Sequence, residues 1–490
     1  MKILSSMPLL SLLPAVLLLA GCVTVGPDYH PPVERDVTAL PGADATQQTT
    51  LAFQVEWWKR FGDPTLDEIV RRAVRNNLDL KIAVARVREA RWLLSGAESG
   101  SLPVVDAVGS ARWSREQMAG FGADPVRVDN YQLGFDAVWE LDLFGGIRRS
   151  VEASRASLQA SEASLQNVQV TVIAEAARNY FQLRSLQLRL DIARRDIDNQ
   201  RDTQQLIRSR NEIGSGSDQE VASAAARLSA VEAQVPLLEI QSRAAQYRLA
   251  VLLGVRPGEL DIDLSPKSFT PIAASLPIGG AGQVLARRPD IRAAERELAA
   301  SHAAIGVAKA DYFPHISLGG FVGFLTAIGA GTHGSRFGGA NSFAWSLGPS
   351  ISWSGLNVQR VRSNLHASEA RAEAALANYQ QTVLRALEEV SNSLVAYNEQ
   401  RIRVGKLIEQ SRQSRQAADL ARVRYREGAT GFLELLDAER TQLAAEDDLA
   451  QAEAAINIET VAIYKAIGSG WEACGDERCS NLTSVADASK

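Results

Sequence analysis

Cysteine is nearly absent: the chain of 490 residues has three, with five histidines and three methionines. The histidines, His30, His302, His315, His333 and His366, sit in unlike contexts and supply no second half for a zinc site, so no metal centre is expected. No glycine-rich phosphate loop follows a strand pattern and no catalytic constellation is visible, which leaves no basis for an enzyme or a cofactor. Long apolar runs are missing too, and nothing beyond the N-terminus has the roughly eighteen apolar residues of a spanning helix. A net charge of −5 argues against a nucleic-acid partner. What remains, 46% hydrophobic and 22% charged, is the composition of a globular chain with room for two or three domains.

One of the three cysteines stands out by position. Lys2 and the run Leu9 to Ala20, interrupted only by Ser11 and Pro14, have the length of a signal-peptide core, so residues 1–21 read as an export signal. Leu19-Ala20-Gly21-Cys22 matches the bacterial lipobox, which makes Cys22 the lipidated first residue of the mature chain; an ordinary signal with a chance cysteine is the alternative. Val23 after it resembles lipoproteins sent to the outer membrane. Acyl chains anchor at about 0.8 kcal/mol per buried methylene, and residues 22–61 read as the tether that follows. Cys474 and Cys479 lie in the tail 469–490, where an oxidising periplasm favours a disulfide over two free thiols or a lone metal pair.

The rest is said twice. NLDLKIAVARVREARWLLSGAESGSLP, ending at Pro103, and RPDIRAAERELAASHAAIGVAKADYFP, ending at Pro314, share a polar-x-Asp start and a terminal proline at an offset of 211. After each proline the period changes to two. Tyr131, Leu133, Phe135, Trp139, Leu141 and Leu143 alternate with polar residues, as do Phe343, Trp345, Leu347, Ile351 and Trp353; Ile316 to Phe324 repeats the pattern and Val105 to Trp113 does so weakly. Four strands in two hairpins are expected within 102–144 and 314–354. A large apolar face opposite a small polar one suits a membrane barrel, whose smallest forms need about eight strands, so several chains must share one barrel.

Helices fill 62–101, 145–254, 281–313 and 355–468. Two are expected to be unbroken, Gly146 to Gly214 with 69 residues and Leu356 to Gly428 with 73, each about 100 Å at 1.5 Å per residue. Val151, Leu158, Leu165 and Val172 recur every seven residues, as do Leu376, Val383, Val390 and Tyr397 beside Leu365, Ala372, Tyr379 and Ala386, a coiled-coil pattern. Pro64 to Gly100 and Asp218 to Gly254, 37 residues each, would stack end to end beside the first long helix, and Pro236 predicts a kink in the second of them.

These stretches resemble the outer-membrane factor family, the TolC-like exit ducts, in its lipoprotein branch that serves resistance-nodulation-division efflux pumps. The likeness rests on the lipobox with VGPDYHPP (25–32), WWKRFGDPTLDEIVRRAVRNNLDLKIAVARVREAR (57–91), WELDLFGGIRR (139–149), LARRPDIRAAE (285–295) and YREGATGFLELLDAE (425–439). It implies a mainly α chain with a membrane β-barrel: a homotrimer with twelve strands in one barrel over a periplasmic α-barrel. The implied partners are outer-membrane lipid, an adaptor protein and an inner-membrane transporter that supplies the energy. By the same resemblance Glu434 and Asp437, three apart on one helix face, become acidic rings at a periplasmic aperture; from spacing alone they are a solvated face. Tyr425 and Glu220 match the contacts that close it, with Thr430 where TolC has an arginine. Gly214 and Gly428 become tip turns near the adaptor. The implied function is passive export of small molecules; a protein-secretion duct and a periplasmic coiled-coil rod are the other readings.

Overall fold

In a computed structural model of the chain, residues 24–32, 55–117, 125–267, 281–329, 337, 339, 342–354 and 357–473 are described, which leaves Cys22, Cys474 and Cys479 outside them. Their elements run α1 (Pro64–Asn76), α2 (Leu78–Ser99), β1 (Val104–Glu116), β2 (Val126–Leu141), α3 (Gly146–Glu212), α4 (Asp218–Glu232), α5 (Gln234–Leu252), α6 (Ala281–Arg287), α7 (Pro289–Ala310), β3 (His315–Gly329), β4 (Phe343–Ser352), α8 (Val358–Arg426) and α9 (Phe432–Ala466). They fall into two units. One holds Val87–Ser161 and Ala294–Tyr379 with the described N-terminal residues 24–32; the other holds Glu162–Ala293, Gln380–Lys490 and Val33–Arg86, within the described residues.

The first unit carries one antiparallel sheet in the order β1-β2-β3-β4. The expected hairpins are therefore joined: β2 pairs with β3 from Val128↔Gly329 to Leu141↔Ile316. Strand β2 also starts at Val126 rather than near Tyr131 and ends before Leu143, and β1 extends to Glu116, because ladder pairing continues past the apolar alternation. The register sorts the side chains. Phe135, Val322 and Trp345 share one row and Leu133, Phe324 and Phe343 the next, all on one face, while Asp106, Asp136 and Ser346 lie on the other. That apolar face is bare in the single chain; Trp345, Leu347 and Ile351 are 72%, 68% and 70% exposed. Covering each such side chain is worth about 1.5–3 kcal/mol, so the face implies an apolar surrounding.

The repeat shows at the foot of the sheet. Trp139 Nε1 donates to the Ser101 carbonyl at 3.0 Å and Trp353 Nε1 to the Tyr312 carbonyl at 3.1 Å, each two residues before the proline that precedes β1 or β3. Residues 24–32 are strapped to this foot. Val25 N–H donates to Phe144 O at 3.0 Å, Arg149 reaches Asp28 at 2.7 Å, and Tyr29 Oη donates to Glu295 at 2.6 Å.

In the second unit Trp57 stacks on Tyr464 with centroids 5.0 Å apart, beside buried Leu66, Ile69, Ile173, Leu249 and Tyr397. Helix α1 starts at an Asp63 cap, whose carboxylate accepts from Thr65 N–H at 2.9 Å, followed by Pro64 at the first helical position. The single helix expected from Pro64 to Gly100 is two helices. Asn77 adopts extended backbone, caps Leu80 N–H at 3.1 Å and donates to Leu252 O at 3.0 Å, so the break serves to close the end of α5. Its repeat partner is Arg288, which donates to Ala466 O at 2.8 Å and splits α6 from α7. The break between α4 and α5, three residues before Pro236, matches the expected kink. Helices α3 and α8 are 67 and 69 residues long, slightly shorter than expected: each unwinds two residues before its terminal glycine, and α8 starts at Val358 rather than Leu356. Within the heptad series Ala372, Tyr379, Ala386, Val390 and Tyr397 are buried, whereas Leu376 is 37% exposed.

Four glycines close these helices in matched pairs. Gly214 and Gly428 both have φ 73°, and Gly254 and Gly468 have φ 70° and 68°, all in the left-handed region. Their surroundings differ. A Cβ on Gly254 would lie 2.6 Å from Asn76 O, whereas nothing lies within 4 Å of one on Gly214. Gly214→Ala is therefore expected to lose only the left-handed backbone preference, about 1 kcal/mol. Gly254→Ala should lose that and displace the α1–α2 junction, giving the lower unfolding midpoint of the two in thermal denaturation; equal midpoints would contradict the close packing.

Candidate functional site at the helix tips

The two α-hairpin turns of the second unit form a candidate site from matched parts. Helix α3 ends with Gly214 N–H donating to Asn211 O at 2.9 Å and Ser215 N–H to Arg210 O at 2.9 Å; α8 ends with Gly428 N–H to Tyr425 O at 3.0 Å and Ala429 N–H to Arg424 O at 2.8 Å. The entries to the next helices are not matched. Ser217 caps α4 in a reciprocal capping box with Glu220, 3.2 Å in each direction. The corresponding cap of α9 is Gly431, which has no side chain to offer, so the carboxylate of Glu434 is not held in such a box and accepts from Thr430 Oγ1 instead.

Glu434 and Asp437 are both exposed on the first turns of α9. Asp437 pairs with Arg440 at 2.8 Å on the same helix, an ion pair 67–70% exposed and hence worth little. Tyr425, by contrast, is buried, packed against Phe432 with ring centroids 6.2 Å apart and grouped with Ile207, Ala224 and Leu435. Arg210 lies over its ring at 4.8 Å and donates to its carbonyl at 2.9 Å. Burial raises the Tyr425 hydroxyl pKa, and the nearby Glu220 charge adds to this while Arg210 opposes it. Glu220 thus faces Tyr425 electrostatically within one chain and spends its hydrogen bonds on the α4 cap. The arginine beside the tyrosine comes from α3. Sequence reasoning passed over Arg210, which lies four residues before the turn glycine.

It also passed over Glu439, although ELLDAE contains it. Phe432, Leu435 and Glu439 are spaced three and four apart, so the glutamate is on the apolar face of α9, and it is 1% exposed. Its carboxylate accepts from Arg422 Nε at 2.9 Å, Gln200 Nε2 at 3.0 Å and Thr203 Oγ1 at 3.4 Å, which ties α9 to α8 and α3. Asp196 lies next to it, 3.5 Å from Gln200 Nε2 and 3.8 Å from Arg227. Burial of its carboxylate is the largest influence on Asp196, and with the Glu439 charge it outweighs Arg227, Gln200 and Arg422 to raise the pKa. A carboxylate raised on folding contributes stability below its unfolded pKa, near 3.8, and loses it as pH rises through the folded value. Asp196→Asn should therefore raise the unfolding temperature at pH 7, with the gain shrinking toward pH 4. A lower midpoint at pH 7 would show that the arginines need this charge.

No helix among the described residues is long and apolar enough to cross a membrane. No group of three or more histidine, cysteine, aspartate or glutamate side chains among them could hold a metal. The sequence profile of the outer membrane efflux protein family matches residues 69–255 and 281–469, one segment in each repeat copy. The chain is 31% identical over 480 residues to the pyoverdine export outer membrane protein OpmQ of Pseudomonas aeruginosa PAO1, covering 95% of this chain and 98% of that one. Nodulation protein T of Rhizobium leguminosarum bv. trifolii is 30% identical over 458 residues, 93% of this chain and 96% of the relative. Among solved structures, the outer-membrane channel OprN superposes with a TM-score of 0.86 at 46% identity, over 92% of this chain and all of its own. With the profile covering most of both copies and the solved channel sharing the four-stranded, long-helix architecture, the chain belongs to the outer membrane efflux protein family, the channels of the Gram-negative outer membrane, and is not an enzyme.

Proposed function

We propose that three copies of this chain form a passive exit duct of a tripartite efflux pump, anchored by lipid on Cys22 and exporting small molecules from a periplasmic assembly to the exterior. The single observation that carries this reading is the open sheet: among the described residues, four strands, two unpaired edges and a bare apolar face opposite a polar one. Three such sheets give twelve strands, above the roughly eight that the smallest membrane barrels need. Exposed apolar residues on the helices, among them Leu237 and Ile240 of α5 and Leu384 and Ile402 of α8, give neighbouring copies the surface a helical barrel buries. The energy for export comes from partners: an adaptor at the open Gly214 and Gly428 turns and an inner-membrane resistance-nodulation-division transporter.

The relatives' names span pyoverdine export, toluene efflux and cation efflux. A duct lined by small polar side chains accepts such variety, and the transporter makes the choice. Three methionines in the whole chain give little soft-metal coordination, which favours organic amphiphiles over metal ions. Native mass spectrometry of detergent-solubilised protein should give three chains, and planar-bilayer recording should give conductance. A non-conducting particle would support the periplasmic rod instead, and genetic linkage to an ATP-driven exporter would support a protein-secretion duct.

Around a three-fold axis Glu434 and Asp437 form two carboxylate rings that concentrate cations at the aperture. Because Arg440 offsets Asp437 and no cation among the described residues pairs with Glu434, Glu434→Gln should shift the reversal potential in a salt gradient more than Asp437→Asn. Equal selectivity in wild type and the double variant would return both acids to a solvated helix face.

A further inference from the structure

The apolar face of the sheet ends, on the side away from the helices, in two arginines and one aspartate. Along β1 the residues of that face run Val105, Ala107, Gly109, Ala111, Trp113 and then Arg115; along β2, from Leu141 through Trp139 and Tyr131, they end at Asp129 and Arg127. Trp113 and Tyr131 meet edge-on with centroids 6.4 Å apart, and Phe337 approaches Tyr131 at 6.1 Å. Tyr131 and Trp139 are eight residues apart, about 27 Å along the strand and roughly 20 Å along the normal of a tilted barrel. They mark the two aromatic rims of the membrane band. The arginines stand two residues beyond Trp113 and four beyond Tyr131, about 7 and 14 Å further along the strands, at headgroup depth.

Arg115 and Arg127 are paired directly across the ladder, and both side chains are exposed. Like charges facing each other on neighbouring strands repel. Among the described side chains Asp129 accepts from Arg127 Nε at 3.0 Å and from its Nη2 at 3.2 Å, so both its oxygens are taken by Arg127. Arg115 has no hydrogen bond or ion pair among the described residues, and the trio keeps a net positive charge. An apolar band, an aromatic rim and an uncompensated guanidinium above it, all on the same face, are complementary to one molecule: a lipid with acyl chains below and phosphate at the headgroup. The outer leaflet of the Gram-negative outer membrane presents phosphorylated glycolipid at that depth.

We propose that Arg115 and Arg127 form a binding site for a phosphate of the outer-leaflet glycolipid, with Trp113 and Tyr131 packing against its acyl chains. The phosphate relieves the facing charges of β1 and β2 and holds the outer end of the first hairpin in the leaflet. The site rests on the outer-membrane location of the chain and is independent of what is exported.

Full-length protein in detergent, titrated with diphosphorylated lipid A and read by native mass spectrometry, provides the test. Wild type should retain the lipid, and the R115Q/R127Q double variant should bind it about tenfold more weakly, as the loss of one charge-assisted contact predicts. Arg112→Gln, on the same strand but the opposite face and paired with Asn130, should bind like wild type. Lipid A stripped of its phosphates should bind wild type as weakly as the intact lipid binds the double variant. Equal retention by wild type and double variant, equal binding of the phosphate-free lipid, or displacement by equimolar inorganic phosphate would each overturn the proposal, the last pointing to a free-anion site. Because both side chains lie on the outside of the strands, the double variant should conduct like wild type, so failed conductance in wild type would count against the duct and not against the lipid site.

Discussion

The outer edges of β1 and β4 carry backbone N–H and C=O groups that no other strand among the described residues pairs, and the sheet between them exposes a face of Trp345, Leu347 and Ile351. In lipid an unpaired backbone group costs several kcal/mol, so an open edge cannot persist there. Edge pairing with further copies satisfies both demands at once: it closes the ladder and sets the apolar face outward. Everything polar on the opposite face, Asp106, Asp136 and Ser346 among it, then needs water, and a water-filled interior follows from backbone chemistry rather than from any special residue.

The same economy of parts appears in the helices. A unit that pairs a proline-ended helix, a hairpin, a long helix, a glycine turn and a return helix occurs twice, and its closures are reused. Gly254 lies against Asn76 and Gly468 against Arg288 and Pro289, each at a junction between two helices, but Asn77 does in the first copy what Arg288 does in the second. Asparagine caps a helix start and reaches one carbonyl. Arginine reaches its carbonyl and also binds Asp290 at 2.6 Å and Glu389 at 2.8 Å, drawing α8 into the junction. The repeat preserved the geometry while the two sites diverged in charge.

Divergence at the tips changes which acids face solvent. In the first copy Ser217 and Glu220 satisfy each other; in the second Gly431 cannot reciprocate, and Glu434 is released from the cap toward solvent. Two residues past Asp437, Glu439 turns inward onto Arg422 and Gln200. One short stretch of α9 therefore separates an exposed pair of acids from a buried one, a split set by helical periodicity and by what each face meets.

Much of this was legible in the residues. The period-two runs after Pro103 and Pro314, the heptads, the two glycine turns and the 211-residue offset determined four strands, two long helices and a repeat, because each depends on local spacing alone. The proline at 236 announced its kink for the same reason. Joining β2 to β3, breaking the first helix at Asn77 and burying Glu439 were decided only by tertiary structure. Strand pairing across a long connection, a carbonyl at Leu252 in need of a donor, and a guanidinium arriving from α8 are all properties of neighbours distant in sequence. Local propensity fixes which elements form; where their unsatisfied polar groups find partners is settled when the elements meet.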